Sequence, residues 1–132
     1  MPCDLDPIVN FIKIKNLFLI EDCSQAHGAV YKGKKVGSFG HISTWSFCQD
    51  KIMSTGGEGG MISTKNEKIW LKCWSLKDHG KNYKNVFYKK QKTTFKWLHE
   101  DLGSNYRMTE IQAVIGREQL KSLDKQIKKR NT

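Results

Sequence analysis

The sequence predicts an α/β fold built around a mostly parallel sheet. Short apolar stretches alternate with segments of helical periodicity along the 132 residues, and the first stretch, LFLIED at 17–22, closes on two carboxylates. Such a run predicts a buried strand whose carboxyl end opens onto a ligand crevice, with Asp22 facing that crevice. The length suits one domain of ordinary size.

The first elements follow from local signals. Apolar residues at helical spacing after Pro7 predict a short amphipathic helix that ends near Asn16. Four glycines between residues 28 and 40 predict turns, and ISTWSF at 42–47 predicts a second short strand.

The later elements are a third strand and two helices. The run GGEGGMIST at 56–64 predicts a glycine-rich turn before a strand, and it fits neither glycine pattern that cradles nucleotide phosphates. Segment 66–80 predicts a helix capped by Asn66 and ending near Gly80. The last helix begins at a capping box of Thr109 and Gln112. Its predicted apolar side consists of Ile111, Val114, Ile115 and Leu123.

The charge is uneven along the chain. The net charge is +10, residues 1–64 contain six basic and six acidic residues, and residues 65–132 contain seventeen and seven. Segment 81–97 mixes lysines with aromatic residues, as single-strand nucleic-acid surfaces do. A solvated lysine-rich loop is the favoured interpretation, and a basic rim also attracts diphosphate-bearing substrates. A nucleic-acid-binding module centred on 81–97 is kept as the alternative hypothesis.

Several classes of protein are not indicated. No apolar stretch of about 18 residues is present, and the acidic, proline-containing start lacks the features of a signal peptide. The four cysteines form no CxxC pair and no histidine cluster accompanies them, so neither a metal site nor a disulfide framework is indicated. The sequence therefore predicts a cytoplasmic protein with reduced cysteines and no membrane association.

Three stretches together resemble the DegT/DnrJ/EryC1/StrS family of sugar aminotransferases. They are IEDCSQAHGA at 20–29, WSFCQDKIMSTGGEGGMI at 45–62 and GSNYRMTEIQA at 103–113. Their order and spacing match the middle section of that family. The resemblance implies the aspartate aminotransferase fold (fold type I). It also implies that residues 1–132 are the central part of the large, pyridoxal-phosphate (PLP)-binding domain, without the N-terminal segment and the C-terminal small domain. A piece of that size is expected to be inactive alone.

The resemblance also implies an activity. Members of the family use PLP to move an amino group from glutamate to a keto sugar linked to a nucleotide, and they are usually homodimers. Such enzymes serve amino-sugar, polysaccharide and lipopolysaccharide biosynthesis. Some relatives carry histidine in place of the cofactor lysine and act as dehydratases, and Lys51 argues against that variant here.

Two residues are assigned catalytic roles by the resemblance. Lys51, shortly after Ser46 and Phe47, matches the lysine that binds PLP covalently and moves protons at the substrate carbon. Taken alone, one lysine among twenty would be a surface residue. Asp22 matches the carboxylate that pairs with the protonated pyridine nitrogen. Taken alone, it would cap a turn at the end of a strand.

The other assignments are binding roles. Gln25 matches the residue that hydrogen-bonds the phenolic oxygen of the cofactor, and Ser46 matches a ligand of its phosphate. Asn105 resembles an asparagine that reaches the phosphate in the neighbouring subunit. Arg107 is assigned either to a substrate carboxylate or phosphate, or to a salt bridge at a helix end or dimer interface. For His27, a structural role with a hydrogen bond is the favoured interpretation.

Overall fold

The computed structural model describes residues 1–89 and 98–130. They form two compact units: the first combines Met1–Thr64 with Met108–Thr132, and the second is Lys65–Arg107. In chain order the elements are α1 (Leu5–Lys15), β1 (Ile20–Asp22), β2 (Val30–Tyr31), β3 (Lys34–Lys35), β4 (Ile42–Ser46), β5 (Gly60–Ser63), α2 (Glu67–Lys77), α3 (Tyr83–Phe87) and α4 (Glu110–Arg130).

The first helix ends as the sequence predicts. Asn16 adopts a left-handed conformation with φ of 50°, and its backbone N–H is directed at the carbonyls of Ile12 and Lys13. Asparagine tolerates this conformation better than most residues, so it terminates the helix at low cost. Leu5, in the first turn, is buried against Cys23 and Val36 in the small apolar core of the first unit.

The main sheet has three strands in the order β1-β4-β5. Strands β1 and β4 are parallel, with Asp22 opposite Thr44, whereas β5 runs antiparallel to β4, with Gly60 opposite Ser46. The prediction of a mostly parallel sheet is therefore wrong for β5. The reason is the connection: segment 47–59 contains no helix, and a parallel return needs a longer crossover, usually helical.

The first strand is shorter and less buried than predicted. Only Ile20–Asp22 is extended, and Leu17 and Phe18 lie outside the strand and are exposed. Glu21 is buried, but Ile20 is 62% exposed, because no described element covers the face that Ile20 shares with Asp22. The expectation of a strand buried on both faces is therefore wrong for this part of the chain.

A two-stranded hairpin, β2–β3, was not predicted. Lys32 and Gly33 form its turn with φ of 46° and 79°. Two central residues with positive φ are typical of the type I′ turn, which matches the twist of the flanking strands. Lys-Gly is a weak version of the usual Asn-Gly signal, which is why the sequence pattern did not reveal the hairpin.

The second unit is organised around α2. The side chain of Asn66 accepts hydrogen bonds from the backbone of Lys68 and Ile69, at 2.9 and 3.2 Å, which confirms the predicted cap. Part of the lysine-rich segment 81–97 is the short helix α3, and residues 90–97 of that segment lie outside the described residues. Four aromatic rings of α2 and α3 pack against one another: Trp70, Trp74, Tyr83 and Phe87. These rings form a packed cluster rather than an open stacking platform.

The last helix, α4, begins at the predicted capping box. Thr109 Oγ1 accepts from the backbone N–H of Gln112, and Gln112 Oε1 accepts from the backbone N–H of Thr109. The predicted apolar side is wrong in its first half, since Ile111 is 75% and Val114 is 57% exposed. The stripe that contacts the rest of the first unit includes Gln112, Gly116 and Gln119. No helix among the described residues is long and apolar enough to cross a membrane.

Candidate cofactor site at the edge of the sheet

Asp22 and Ser46 lie on the same face and at the same edge of the sheet. Because β1 and β4 are parallel, their carboxyl ends meet at one edge, and Asp22 is opposite Thr44 in the register. Side chains two residues apart in a strand point to the same face, so Ser46 shares the face of Thr44 and Asp22. Two predicted cofactor ligands are thus brought to one side of the sheet.

The carboxylate of Asp22 is held by Ser24. Its Oδ1 accepts hydrogen bonds from the hydroxyl of Ser24 at 2.6 Å and from the backbone N–H of Ser24 at 3.0 Å. The side-chain bond, followed by the backbone bond, lowers the pKa of Asp22. Within the described part of the chain both bonds reach Oδ1, which leaves Oδ2 for a ligand. This turn-capping role is the one expected of Asp22 from local sequence alone.

Lys51 is carried by a closed loop, residues 47–59, between β4 and β5. The backbone N–H of Phe47 donates to the carbonyl of Gly59 at 2.8 Å, and that of Thr55 donates to the carbonyl of Phe47 at 3.2 Å. The Lys51 side chain is 12% exposed, and its Nζ donates to Asp50 at 3.1 Å. Most of the Lys51 side chain is therefore shielded from solvent.

His27 connects Lys51 with Ser46. Its ring packs against Trp45 and Phe47, with centroids 5.5 and 5.9 Å apart. Burial lowers the pKa of His27, a hydrogen bond with the backbone of Ser46 raises it, and the charge of Lys51 lowers it. The net effect is a lowered pKa, so the imidazole is neutral at pH 7. The hydrogen bond agrees with the structural role expected from the sequence.

One atom of His27 is not satisfied. Its Nε2 is buried and has no hydrogen-bond partner among the described residues. A buried ring nitrogen without a partner is unfavourable, so a polar group from beyond the described residues would be stabilised here. The sequence does not reveal this, because which nitrogen of a histidine is left unpaired depends on the packing around the ring.

The remaining ligands of the first unit are less constrained. Ser46 Oγ accepts from the backbone N–H of Cys48 at 3.3 Å, so its own hydrogen remains available for donation. Gln25 is exposed in the turn after β1, where the backbone N–H of Ala26 donates to the carbonyl of Cys23. The predicted contact of Gln25 with a cofactor stays a prediction.

Asn105 and Arg107 belong to the second unit. Arg107 Nε donates to Asn105 Oδ1 at 3.0 Å and lies 3.7 Å from a carboxylate oxygen of Asp78. Burial acts to raise the pKa of Asp78, but the hydrogen bond and charge of Lys81, with the charges of Lys77 and Arg107, outweigh it and lower the pKa. The salt bridge foreseen for Arg107 thus exists within the chain, and the substrate and cross-subunit roles of both residues stay predictions.

Glu21 is an important residue that sequence reasoning missed. Its carboxylate is buried and accepts three backbone hydrogen bonds, from Gly37 at 2.6 Å, Phe39 at 2.7 Å and Gly40 at 2.5 Å. It thereby ties the turn before β4 to β1 and orients Asp22 toward the opposite face. The alternation of faces along a strand was the available signal, but two adjacent carboxylates do not reveal which of them is inside.

Comparisons with known proteins identify the family. The whole chain, residues 1–132, matches the DegT/DnrJ/EryC1/StrS aminotransferase family. It is 43% identical over 123 residues to a GDP-perosamine synthase of Escherichia coli O157:H7, covering 93% of this chain and 31% of that protein. It is 37% identical over 129 residues to the UDP-4-amino-4,6-dideoxy-N-acetyl-beta-L-altrosamine transaminase of Campylobacter jejuni, covering 96% and 31%.

A solved structure gives the same result for the fold. An aminotransferase from Psychrobacter cryohalolentis is 59% identical and superposes with a TM-score of 0.87, over 92% of this chain and 31% of that one. The chain thus spans about a third of the length of the relatives that it matches. The match along all 132 residues, together with this superposition, shows that the chain belongs to the DegT/DnrJ/EryC1/StrS aminotransferase family.

Proposed function

We propose that this chain is the cofactor-binding part of a PLP-dependent aminotransferase that uses glutamate to aminate a nucleotide-linked keto sugar. The observation that carries the proposal is the largely buried Lys51 side chain, in the loop that follows the sheet edge where Asp22 and Ser46 lie. The names of two relatives supply the substrate class, since one is a GDP-sugar synthase and another a UDP-sugar transaminase.

The side chains present fit the polar groups of PLP. The cofactor has an aldehyde, a basic ring nitrogen and a phosphate, which call for an amine, a carboxylate and hydroxyl donors. Lys51, Asp22 and Ser46 supply these three groups. We therefore assign the cofactor to the face of the sheet that Asp22 and Ser46 share, next to the loop that carries Lys51, with Gln25 at its phenolic oxygen.

Three residues of the chain have assigned roles in the proposed reaction: Asp22, Lys51 and His27. PLP, when bound, supplies an electron sink for negative charge that develops at the substrate carbon. Asp22 is ionised at neutral pH, so its Oδ2 would accept a hydrogen bond from a protonated ring nitrogen and keep the proton there. Lys51 Nζ, as a neutral amine, would take a proton from the substrate carbon and deliver it to the cofactor carbon, which the limited solvent exposure of its side chain favours. His27 is neutral and holds the backbone of Ser46 in place.

The same proposal includes roles in substrate binding, in dimer formation and in a biosynthetic pathway. Arg107 binds a carboxylate or phosphate of the substrate, and Asn105 reaches the cofactor phosphate of a partner subunit in a homodimer. The product serves amino-sugar and surface polysaccharide biosynthesis, including lipopolysaccharide, in the cytoplasm. These assignments rest on family membership and on the residue types at positions 105 and 107.

A chimera tests the proposed activity. The 132 residues replace the corresponding third of the Psychrobacter cryohalolentis aminotransferase, and glutamate-dependent amination is followed with GDP-linked and UDP-linked keto sugars. We expect activity with one nucleotide class, and none after Lys51→Ala. The exchange Lys35→Ala, at a side chain that is 70% exposed, is the control and should leave the rate unchanged. A folded chimera that is inactive, or one that survives Lys51→Ala, would contradict the proposal.

A further inference from the structure

We propose that helix α4 is a positioning element for Lys51, acting through Gln112 and Gly116 on the loop 47–59. This inference rests on the proposed function of Lys51, but the contact between helix and loop stands on its own geometry. It assigns a role to residues that are more than 50 positions from Lys51 in the sequence and that touch no predicted cofactor ligand.

The loop is held by bonds at its base and within its second half. Phe47 and Gly59 close the base, and Thr55 bonds to both arms of the loop: its N–H donates to the carbonyl of Phe47 at 3.2 Å, and its Oγ1 donates to the carbonyl of Glu58 at 3.1 Å. Lys51 itself turns back, its N–H donating to the carbonyl of Cys48 at 3.0 Å. Thr55, which is 1% exposed, is therefore the hub of the loop.

Helix α4 forms two hydrogen bonds with the same loop. Gln112 Nε2 donates to the carbonyl of Glu58 at 2.7 Å, and Gln119 Oε1 accepts from the backbone N–H of Ser54 at 3.4 Å. The loop partners, Ser54 and Glu58, lie on either side of Thr55 in the sequence. The two glutamines are seven positions apart, which places them on one side of the helix. The helix thus satisfies backbone groups of the loop that carries Lys51.

Gly116 makes the close approach possible. It lies between the two glutamines and is buried. A Cβ at this position would be 2.9 Å from Thr55 Cγ2 and 3.8 Å from Met53 Cε. Glycine destabilises the interior of a helix, so its presence here needs a packing reason, and the contact with Thr55 provides one. A side chain at 116 would displace the hub and, through it, the segment between Phe47 and Lys51.

Directed amide bonds accompany the apolar packing between helix and loop. Ile115 of α4 packs on the loop, where its Cδ1 lies 2.8 Å from the Cβ position of Gly56, and Gln112 and Gln119 bond to loop backbone groups. Amide side chains bond to backbone groups in a defined direction, which fixes the loop more strictly than apolar packing does.

The variant Gln112→Glu separates docking from helix capping. Glutamate keeps the acceptor that the capping box requires, because Oε1 is the atom that receives the N–H of Thr109. It cannot donate to the carbonyl of Glu58 and places a carboxylate oxygen against it, so the docking bond is replaced by repulsion while the cap is kept. The matched control is Gln126→Glu in the same helix, since Gln126 Nε2 donates to Ser122 Oγ within α4.

Amide hydrogen exchange and PLP attachment are measured on the whole chain and on both variants. For Gln112→Glu we expect the amides of Phe47 and Thr55 to exchange about two- to tenfold faster, in line with the loss of one hydrogen bond, with α4 unchanged. Covalent attachment of PLP to Lys51 should slow by about the same factor. Gln126→Glu should change neither. Loop exchange that stays unchanged, or that accelerates equally in α4, would overturn the proposal.

A second variant guards against unfolding as an explanation. Gly116→Ala raises the intrinsic helix propensity of α4, so a helix that did not contact the loop would show a higher melting temperature and unchanged PLP attachment. The positioning role predicts slower attachment to Lys51 and faster loop exchange. If PLP attaches to another lysine in the unaltered chain, the proposed function fails while the exchange results still decide the positioning role. Equal rates of PLP attachment to Lys51 in all variants would refute the positioning role and leave the proposed function intact.

Discussion

His27 and Lys51 are linked electrostatically: burial lowers the pKa of the imidazole, and the nearby positive charge of Lys51 lowers it further. We therefore expect Lys51→Ala to raise the pKa of His27, measured by NMR titration of its ring protons. Lys34→Ala, at an exposed residue of the hairpin, should leave the pKa of His27 unchanged. An unchanged value in Lys51→Ala would mean that the two side chains are not neighbours.

Ser24 controls the ionisation of Asp22. Its side-chain hydrogen bond lowers the pKa of Asp22 most, and its backbone bond adds to this, so Ser24→Ala should move that pKa back toward its ordinary value. A depressed carboxyl pKa stabilises the fold above the unfolded pKa of about 3.9, and the contribution is lost as pH falls through the folded pKa.

The stability difference between the unaltered chain and Ser24→Ala should therefore be present at pH 7 and shrink on acidification. Urea unfolding at several pH values measures it, together with NMR titration of Asp22. Ser38→Ala is the control, because the Ser38 hydroxyl donates to the carbonyl of Lys35 instead. A difference that grew toward acidic pH would refute the assigned hydrogen bond.

Sequence reasoning succeeded where a local signal determines local structure. The cap at Asn66, the capping box of Thr109 and Gln112, and strand 42–46 are such cases, since each depends on residues within one turn or one strand. It failed where partners distant in sequence decide the outcome. The direction of β5 depends on the form of loop 47–59, and the inward side of α4 combines Ile115 with Gln112, whose partner is a backbone group near Thr55.

The candidate site shows the same division. The residue types at positions 22, 46 and 51 follow from motifs, and the parallel register of β1 and β4 explains why Asp22 and Ser46 share a face. The inward orientation of Glu21, and the lack of a partner for His27 Nε2 within the described part of the chain, come from packing that no single stretch encodes.

Glu21 should be essential for stability rather than for chemistry. In Glu21→Gln the amide nitrogen would have to face a backbone N–H at Gly37, or at Phe39 and Gly40, so at least one donor loses its acceptor. We expect a loss of about 2–3 kcal/mol in the free energy of unfolding, measured with urea. Glu118→Gln, which affects an exposed pair with Lys121, should change little. Equal losses in Glu21→Gln and Glu118→Gln would contradict the three backbone hydrogen bonds assigned to Glu21.

Two glycines with similar backbone angles should respond differently to alanine. Gly33 has φ of 79° and open space around its Cβ position, so Gly33→Ala should cost about 1 kcal/mol from backbone strain alone. Gly37 has φ of 82° and its Cβ would lie 2.4 Å from Trp45 Cζ2, so Gly37→Ala should cost about 2–4 kcal/mol. Urea unfolding of both variants compares the costs, and a smaller cost at Gly37 would show that Trp45 does not occupy this position.

The central claim is that Lys51 is the cofactor lysine, and site-specific labelling tests it most directly. The chain is incubated with PLP, reduced with borohydride, digested and analysed by mass spectrometry, in parallel with Lys51→Ala and Lys35→Ala. We expect a pyridoxyl label on the peptide that contains Lys51, loss of that label in Lys51→Ala and no loss in Lys35→Ala. A label concentrated on another lysine, with Lys51 unmodified, would contradict it.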